Sequence, residues 1–176
     1  LNGTNVVDRI TGLAGQDVLD SGDGEDVLAG GIGNDSLIGG TGSDTYVFNL
    51  GDGVDTIEDD AGPGAGNRIQ FGAGITSADL TFERTGSVLD IKVVGGTAGT
   101  LHVTNFDPSG VTGTLVVGTL GFADDSTLNL ADLFPTAINH APTVANSLAD
   151  QMVPEDMPFS IQVPANTFAD EDAGDG

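Results

Sequence analysis

Single apolar residues return at every ninth position through the first third of the chain: Ile10, Leu19, Leu28, Leu37 and Tyr46. Aligned on that period, the units are Gly3–Thr11, Gly12–Asp20, Ser21–Ala29, Gly30–Ile38 and Gly39–Val47. Their sixth places hold Asp8, Asp17, Asp26, Asp35 and Asp44, and their fourth places hold Gly15, Gly24, Gly33 and Gly42, with Val6 in the first unit. A sixth unit, Leu50–Glu58, follows a two-residue slip and keeps Gly51, Gly53, Asp55 and Ile57 in matching places. The slip comes after Tyr46-Val47-Phe48, so that strand is expected to be longer than its predecessors.

The first six residues of each unit are glycine-rich and read as a turn, because glycine permits positive φ and close backbone approach. The last three are too few for a helix and suit a short strand. Turn, strand, turn, strand makes a flattened spiral in which two units form one 18-residue coil. Turns two units apart then stack on one edge, about one strand spacing of ~4.8 Å apart, and the aspartates stack with them. Carboxylates that close repel unless a cation lies between them. A hard divalent ion with six to eight oxygen ligands suits the arrangement, and a cage rich in carbonyls favours Ca²⁺ over Mg²⁺.

This pattern resembles the nonapeptide Gly-Gly-x-Gly-x-Asp-x-(apolar)-x of the RTX (repeats-in-toxin) family. Gly30–Ile38 and Gly39–Val47 match it at every fixed place; Ser21–Ala29 departs only at its first place, Gly12–Asp20 has Leu13 for the second glycine, and Gly3–Thr11 keeps only Gly3, Asp8 and Ile10. The resemblance implies a parallel β-roll with several Ca²⁺ ions between turns, in a protein secreted by a Gram-negative bacterium through a one-step exporter. The expected calcium ligands are the side chains of Asp8, Asp17, Asp23, Asp26, Asp35, Asp44 and Asp55. With them go the backbone carbonyls of Gly15, Gly22, Gly24, Gly31, Gly33, Gly40 and Gly42.

From Asn67 glycine thins out and alternating apolar runs appear: Arg68–Phe71, Leu80–Arg84, Val88–Val94, Thr100–Phe106, Thr114–Phe122 and Thr127–Leu133. Turn signals separate them, and the segment reads as antiparallel β. Arg68–Val93 looks like the extension that follows RTX rolls in many exoproteins, and Phe122–Phe134 resembles the short closing hairpin found there. A roll needs such a cap, because an open end exposes strand edges and apolar side chains. From His140 the chain resembles the opening of a cadherin-like or Ig-like repeat, with Ala141-Pro142-Thr143 at its start. That resemblance implies a junction calcium site at Glu155, Asp156, Asp170, Asp172 and Asp175, yet the segment is too short to close a sandwich of roughly 100 residues.

Composition sharpens this picture in two places. Four basic residues against 27 acidic ones leave a net charge of −23, which repels nucleic acid and anionic lipid. There is no cysteine among the 176 residues, so disulfides cannot staple the fold and metal is the alternative. His102 and His140 lie far apart in sequence, and the regular spacing of the carboxylates accounts for them as ligands rather than as an acid/base pair. A catalytic centre is therefore not expected.

The expected protein is all-β, a parallel β-roll over residues 1–60, an antiparallel cap over 61–136, and a linker with an incomplete cadherin-like repeat over 137–176. It reads as a non-enzymatic calcium-binding module, a piece of a larger secreted or cell-surface RTX protein and foremost an adhesin. A subunit of a calcium-stabilised surface layer or filament, or the secretion and stability appendage of an RTX exoenzyme, are the alternatives. Its expected partners are calcium and either neighbouring domains of the same chain or other copies, reached through the tail; nucleic acid and membrane insertion are not expected.

Overall fold

The computed structural model describes residues 1–59, 66–95, 99–108 and 116–134, together with the strand residues 143–144 and 168–169. The chain divides into two units, Leu1–Thr136 and Ala137–Gly176. In the second, β13 (Thr143–Val144) pairs antiparallel with β14 (Phe168–Ala169). The expected junction ligands Glu155, Asp156, Asp170, Asp172 and Asp175 lie outside the described residues.

The first unit begins with six short strands, β1 (Arg9–Ala14), β2 (Val18–Asp20), β3 (Val27–Ile32), β4 (Ser36–Ile38), β5 (Thr45–Phe48) and β6 (Val54–Glu58). Glycine turns send successive strands to opposite sheets, so odd strands pair with odd and even with even, all in parallel. The register sets residue against residue one coil apart: Ile10 against Leu28 and Leu28 against Tyr46 in one sheet, Leu19 against Leu37 and Leu37 against Ile57 in the other. This is the parallel β-roll that the nine-residue period predicts.

Burial follows the same period. Leu19, Leu28, Leu37, Tyr46 and Ile57 are all buried. With one apolar side chain per short strand, each coil contributes little core of its own, and the columns matter only because they continue. Ile69 extends the column Leu28–Tyr46, followed by Leu120, while Val103 and then Leu89 extend the column Leu37–Ile57. All of these side chains belong to a single buried cluster.

That continuation departs from the expectation of a separate antiparallel cap. The remaining strands are β7 (Arg68–Phe71), β8 (Leu80–Thr85), β9 (Val88–Val93), β10 (Gly99–Val103), β11 (Thr119–Gly121) and β12 (Thr127–Asn129). Antiparallel pairing is found in β8–β9–β10 and in the hairpin β11–β12. However, β7 lies parallel on β5, β10 parallel on β6 and β11 parallel on β7. Two six-stranded sheets result, β1-β3-β5-β7-β11-β12 and β2-β4-β6-β10-β9-β8, each running from roll into cap without a break. Strand propensity is blind to this distinction, since it reports fit to a pleated surface and not the identity of a distant partner.

Three smaller differences have local causes. The strand expected over Thr127–Leu133 stops at Asn129, whose side chain accepts a hydrogen bond from the Ala131 amide at 3.0 Å and starts a single helical turn, α1 (Leu130–Leu133). The strand expected over Thr100–Phe106 ends at Val103. β5, expected to exceed its predecessors, is longer than β2 and β4 but shorter than the six-residue β1 and β3. Of the two slipped residues, Phe48 closes β5, and Asn49 opens a turn in which its amide donates to Asp52 Oδ2 at 2.7 Å.

At the N-terminal end, β1 and β2 are the outermost strands of their sheets, and Val6, Val7, Leu13, Val18 and Ile32 are exposed there. Leu13 stands where the later units have their second glycine and adopts φ 80° with 73% of its surface exposed. A left-handed non-glycine residue costs roughly 1–2 kcal/mol, and an exposed leucine recovers little of it by burial. Leu13→Gly is therefore expected to stabilise the roll by about 1 kcal/mol, read as a lower calcium midpoint for folding; a higher midpoint would show that the Leu13 side chain supports the coil.

Candidate metal centre

The stacked turns carry two columns of aspartates. On one edge the Asp8 amide donates to Asp26 Oδ1 at 2.7 Å, and the Asp26 amide donates to Asp44 Oδ1 at 2.8 Å. On the other, the Asp17 amide donates to Asp35 Oδ1 at 2.8 Å and the Asp35 amide to Asp55 Oδ1 at 3.0 Å. Asp26, Asp35, Asp44 and Asp55 thus each use one carboxylate oxygen to grip the coil before. The pairs are i and i+18 within the regular repeats, and i and i+20 across the slip.

The second oxygen is a different matter. Oδ2 of Asp17, Asp26, Asp35, Asp44 and Asp55 is buried and has no hydrogen-bond partner. Buried polar atoms are nearly always paired, and an unpaired charged oxygen costs more than a neutral one. Five such atoms, one per unit at the same place in the repeat, are a property of the design of the coil. They mark where positive charge belongs.

Turn carbonyls supply the remaining donors. A Cβ added to Gly42, which has φ +131°, would strike the carbonyl oxygen of Gly24 one coil away, and one on Gly40 would strike that of Gly22. The turns are therefore in backbone contact, with carbonyl oxygens turned into the gap between them. Aspartate and carbonyl oxygens without nitrogen or sulfur donors form a hard-ion set suited to Ca²⁺, and the columns with their turn glycines fit that ion.

Electrostatics point the same way. Burial, followed by the charges of Asp35 and Asp52, pushes Asp55 up to about 7. Burial pushes Asp44 up to about 6, with the charges of Asp59, Asp26 and Glu25 adding to it. Hydrogen bonds from the Asp35 and Asp26 amides oppose both shifts without cancelling them. Without counter-charge, these carboxyls hold protons into the near-neutral range.

Not all the expected ligands share this environment. Asp8 Oδ2 already accepts from the Thr4 amide at 2.6 Å and the Thr4 hydroxyl at 2.8 Å, so the first unit satisfies its carboxylate with protein. Asp23 Oδ1 accepts from the Thr41 hydroxyl at 2.7 Å, tying two coils together. The amide of Gly15 donates to the Ile32 carbonyl at 2.9 Å and that of Gly33 to the Asp52 carbonyl at 2.7 Å, so these glycines also hold neighbouring coils. Gly31 packs its backbone against the carbonyl of Leu13.

Both aspartate columns end on neutral residues where the cap begins. Asn67 occupies the place after Asp44 and accepts from its amide at 2.6 Å, and Leu101 is the register partner of Asp55. The Asn67 side chain also donates to Asp59 Oδ2 at 2.7 Å and to the Val116 carbonyl at 2.9 Å. The sequence contained a signal for Asn67, since Asn-Arg-Ile repeats the spacing of Asp-x-apolar with an amide for the acid. Asp59 and Asp52, both buried, sit outside the repeat phase and carry no such signal.

The chain matches none of the curated proteins. Residues 2–37 and 20–57 match the RTX calcium-binding nonapeptide repeat, described as four copies. This part of the chain is similar to repeats that bind several calcium ions, and it carries RTX-type calcium-binding repeats on an all-β parallel roll.

Proposed function

We propose that this chain is a calcium-dependent structural module of a large secreted or cell-surface bacterial RTX protein, an adhesin, which folds when it meets calcium after export. The observation that supports this reading is the set of five buried, unpartnered aspartate oxygens in two columns. A chain with net charge −23 and a core one side chain wide per strand stays open where calcium is scarce. Outside the cell, ions bind the folded state and their binding energy becomes folding energy. An ion present at ten times its dissociation constant contributes about 1.4 kcal/mol, so several sites together decide whether the roll exists. Export of RTX repeat proteins by the one-step type I route, and the tail's resemblance to the opening of cadherin-like adhesin repeats, support the cell-surface setting.

Far-ultraviolet circular dichroism tests the reading. The ion-free chain is expected to change from coil to β on addition of millimolar calcium and to return on addition of EDTA. A β spectrum that survives exhaustive chelation would overturn it.

A further inference from the structure

One carboxylate of the roll lies outside the repeats. Asp59 follows β6, is 3% exposed, and accepts hydrogen bonds from the Tyr46 hydroxyl and the Asn67 amide. The position that a Cβ on Gly39 would occupy shows how these groups converge. Asp44 Oδ2 and Asp59 Oδ2 each lie 2.6 Å from it, and the Tyr46 hydroxyl oxygen lies closer still. No more than twice 2.6 Å therefore separates the two carboxylate oxygens. Asp44 is 0% exposed, and its Oδ2, aimed at this point, has no hydrogen-bond partner.

From this arrangement we infer that Asp44 and Asp59 form a terminal cation site, held outside the nonapeptide pattern, that takes a calcium ion where the first aspartate column ends. The inference rests on the calcium reading of the repeats and adds a ligand that the repeats do not contain. A calcium ion bonds oxygen at about 2.3–2.6 Å and so spans two oxygens up to roughly 5 Å apart. The tyrosine hydroxyl oxygen adds a third oxygen donor, while the Asn67 side-chain NH2 donates to Asp59 Oδ2 and holds that carboxylate in place. The placement has a reason. Inside the column each aspartate has another stacked on it, whereas Asp44 is followed by the neutral Asn67. A carboxylate from the connection after β6 restores the pair that the column loses there. Gly39 is required because any side chain would fill the site.

Tyr46 makes the site readable. It is the single tyrosine, and the chain has no tryptophan. Terbium emission excited through tyrosine therefore reports ions near this hydroxyl. In the full chain, terbium is expected to give Tyr46-sensitised emission that calcium displaces. Asp59→Asn is expected to cut that emission several-fold and to lower the calcium count by one ion in native mass spectrometry, while the calcium-driven circular-dichroism transition remains. An unchanged ion count and emission in a folded Asp59→Asn protein would overturn the inference and show that a shared proton holds the two carboxyls together. Should that variant not fold, the parent decides: a normal transition without sensitised emission overturns the terminal site alone. Absence of the transition in the parent would strike the calcium reading itself, and this inference with it.

Discussion

Alanine at position 42 is expected to prevent the roll from forming at any millimolar calcium concentration. Gly42 has φ +131°, and its missing Cβ is where the carbonyl oxygen of Gly24 sits in the previous turn. The collision is with backbone, so no side-chain rotation relieves it, and the coils must part where ions are to be held. Steric and conformational penalties together place the cost above ~4 kcal/mol, in the range reserved for strained backbone positions and lost core contacts. Gly86 provides the control. It too has positive φ, +61°, in the turn between β8 and β9, but a Cβ there would meet nothing within 4 Å. Gly86→Ala is expected to cost about 1–2 kcal/mol and to fold with a modestly raised calcium midpoint. Circular dichroism across a calcium titration compares the two, and similar midpoints for both variants would show that the turns are not packed carbonyl against glycine.

Acid is expected to substitute in part for calcium. In the ion-free roll Asp44 and Asp55 are raised from 3.8 to about 6 and about 7. The folded state therefore binds more protons than the unfolded chain between those limits, and stability falls as pH rises. The contribution of these two groups is fully present below about pH 4 and is lost as pH climbs through 6 to 7. With calcium bound the dependence reverses, because ions and protons compete for the same oxygens and affinity weakens on acidification. A titration of the EDTA-treated chain from pH 8 to pH 4 is expected to recover β signal, and the calcium midpoint at pH 5 is expected to exceed that at pH 8. Carboxylates outside the columns also become neutral in acid and reduce the net repulsion, so the Asp55→Asn protein, whose neutral side chain mimics protonated Asp55, is the needed comparison: it is expected to hold more β signal at pH 8 and to gain less of it on acidification. An identical acid profile in parent and variant would assign the effect to overall charge.

The period of nine made the roll and its two aspartate columns legible because every unit repeats one physical problem in one phase. Asp17 to Asp55 appear in the sequence as a ruler, and the structure stacks them accordingly. The pattern becomes unreadable where the phase is lost. Asn67 lies 23 residues beyond Asp44, with the connection after β6 between them, so its Asn-x-apolar spacing is out of phase with the period and does not by itself place it on the column. Asp59 stands in that connection itself. The parallel docking of β7, β10 and β11 was hidden for a related reason: hairpin signals mark antiparallel neighbours, whereas a parallel partner sits a full crossover away. Leu130–Leu133 carried an alternation that fits a strand, and one side chain, that of Asn129, turned it into a helix. The candidate acids of the tail lie outside the described residues.

The unbroken passage of both sheets from roll into cap makes the array a zipper fastened at one end. Each coil touches only the coil before and the coil after, so order spreads along a single dimension and a new turn forms most cheaply against a turn already in place. The cap, with its antiparallel strands and its ring pairs Phe71–Phe122 and Phe106–Phe134, needs no ion to hold it and is the natural seed. From it the teeth close toward β1, where Leu13 is strained and Asp8 is satisfied by its own threonine. Lengthening the row by further nonapeptides at that end would add reach without demanding a new core. The number of repeats then becomes a mechanical dial, setting how far the molecule extends and how sharply it responds to calcium, while the seed stays the same.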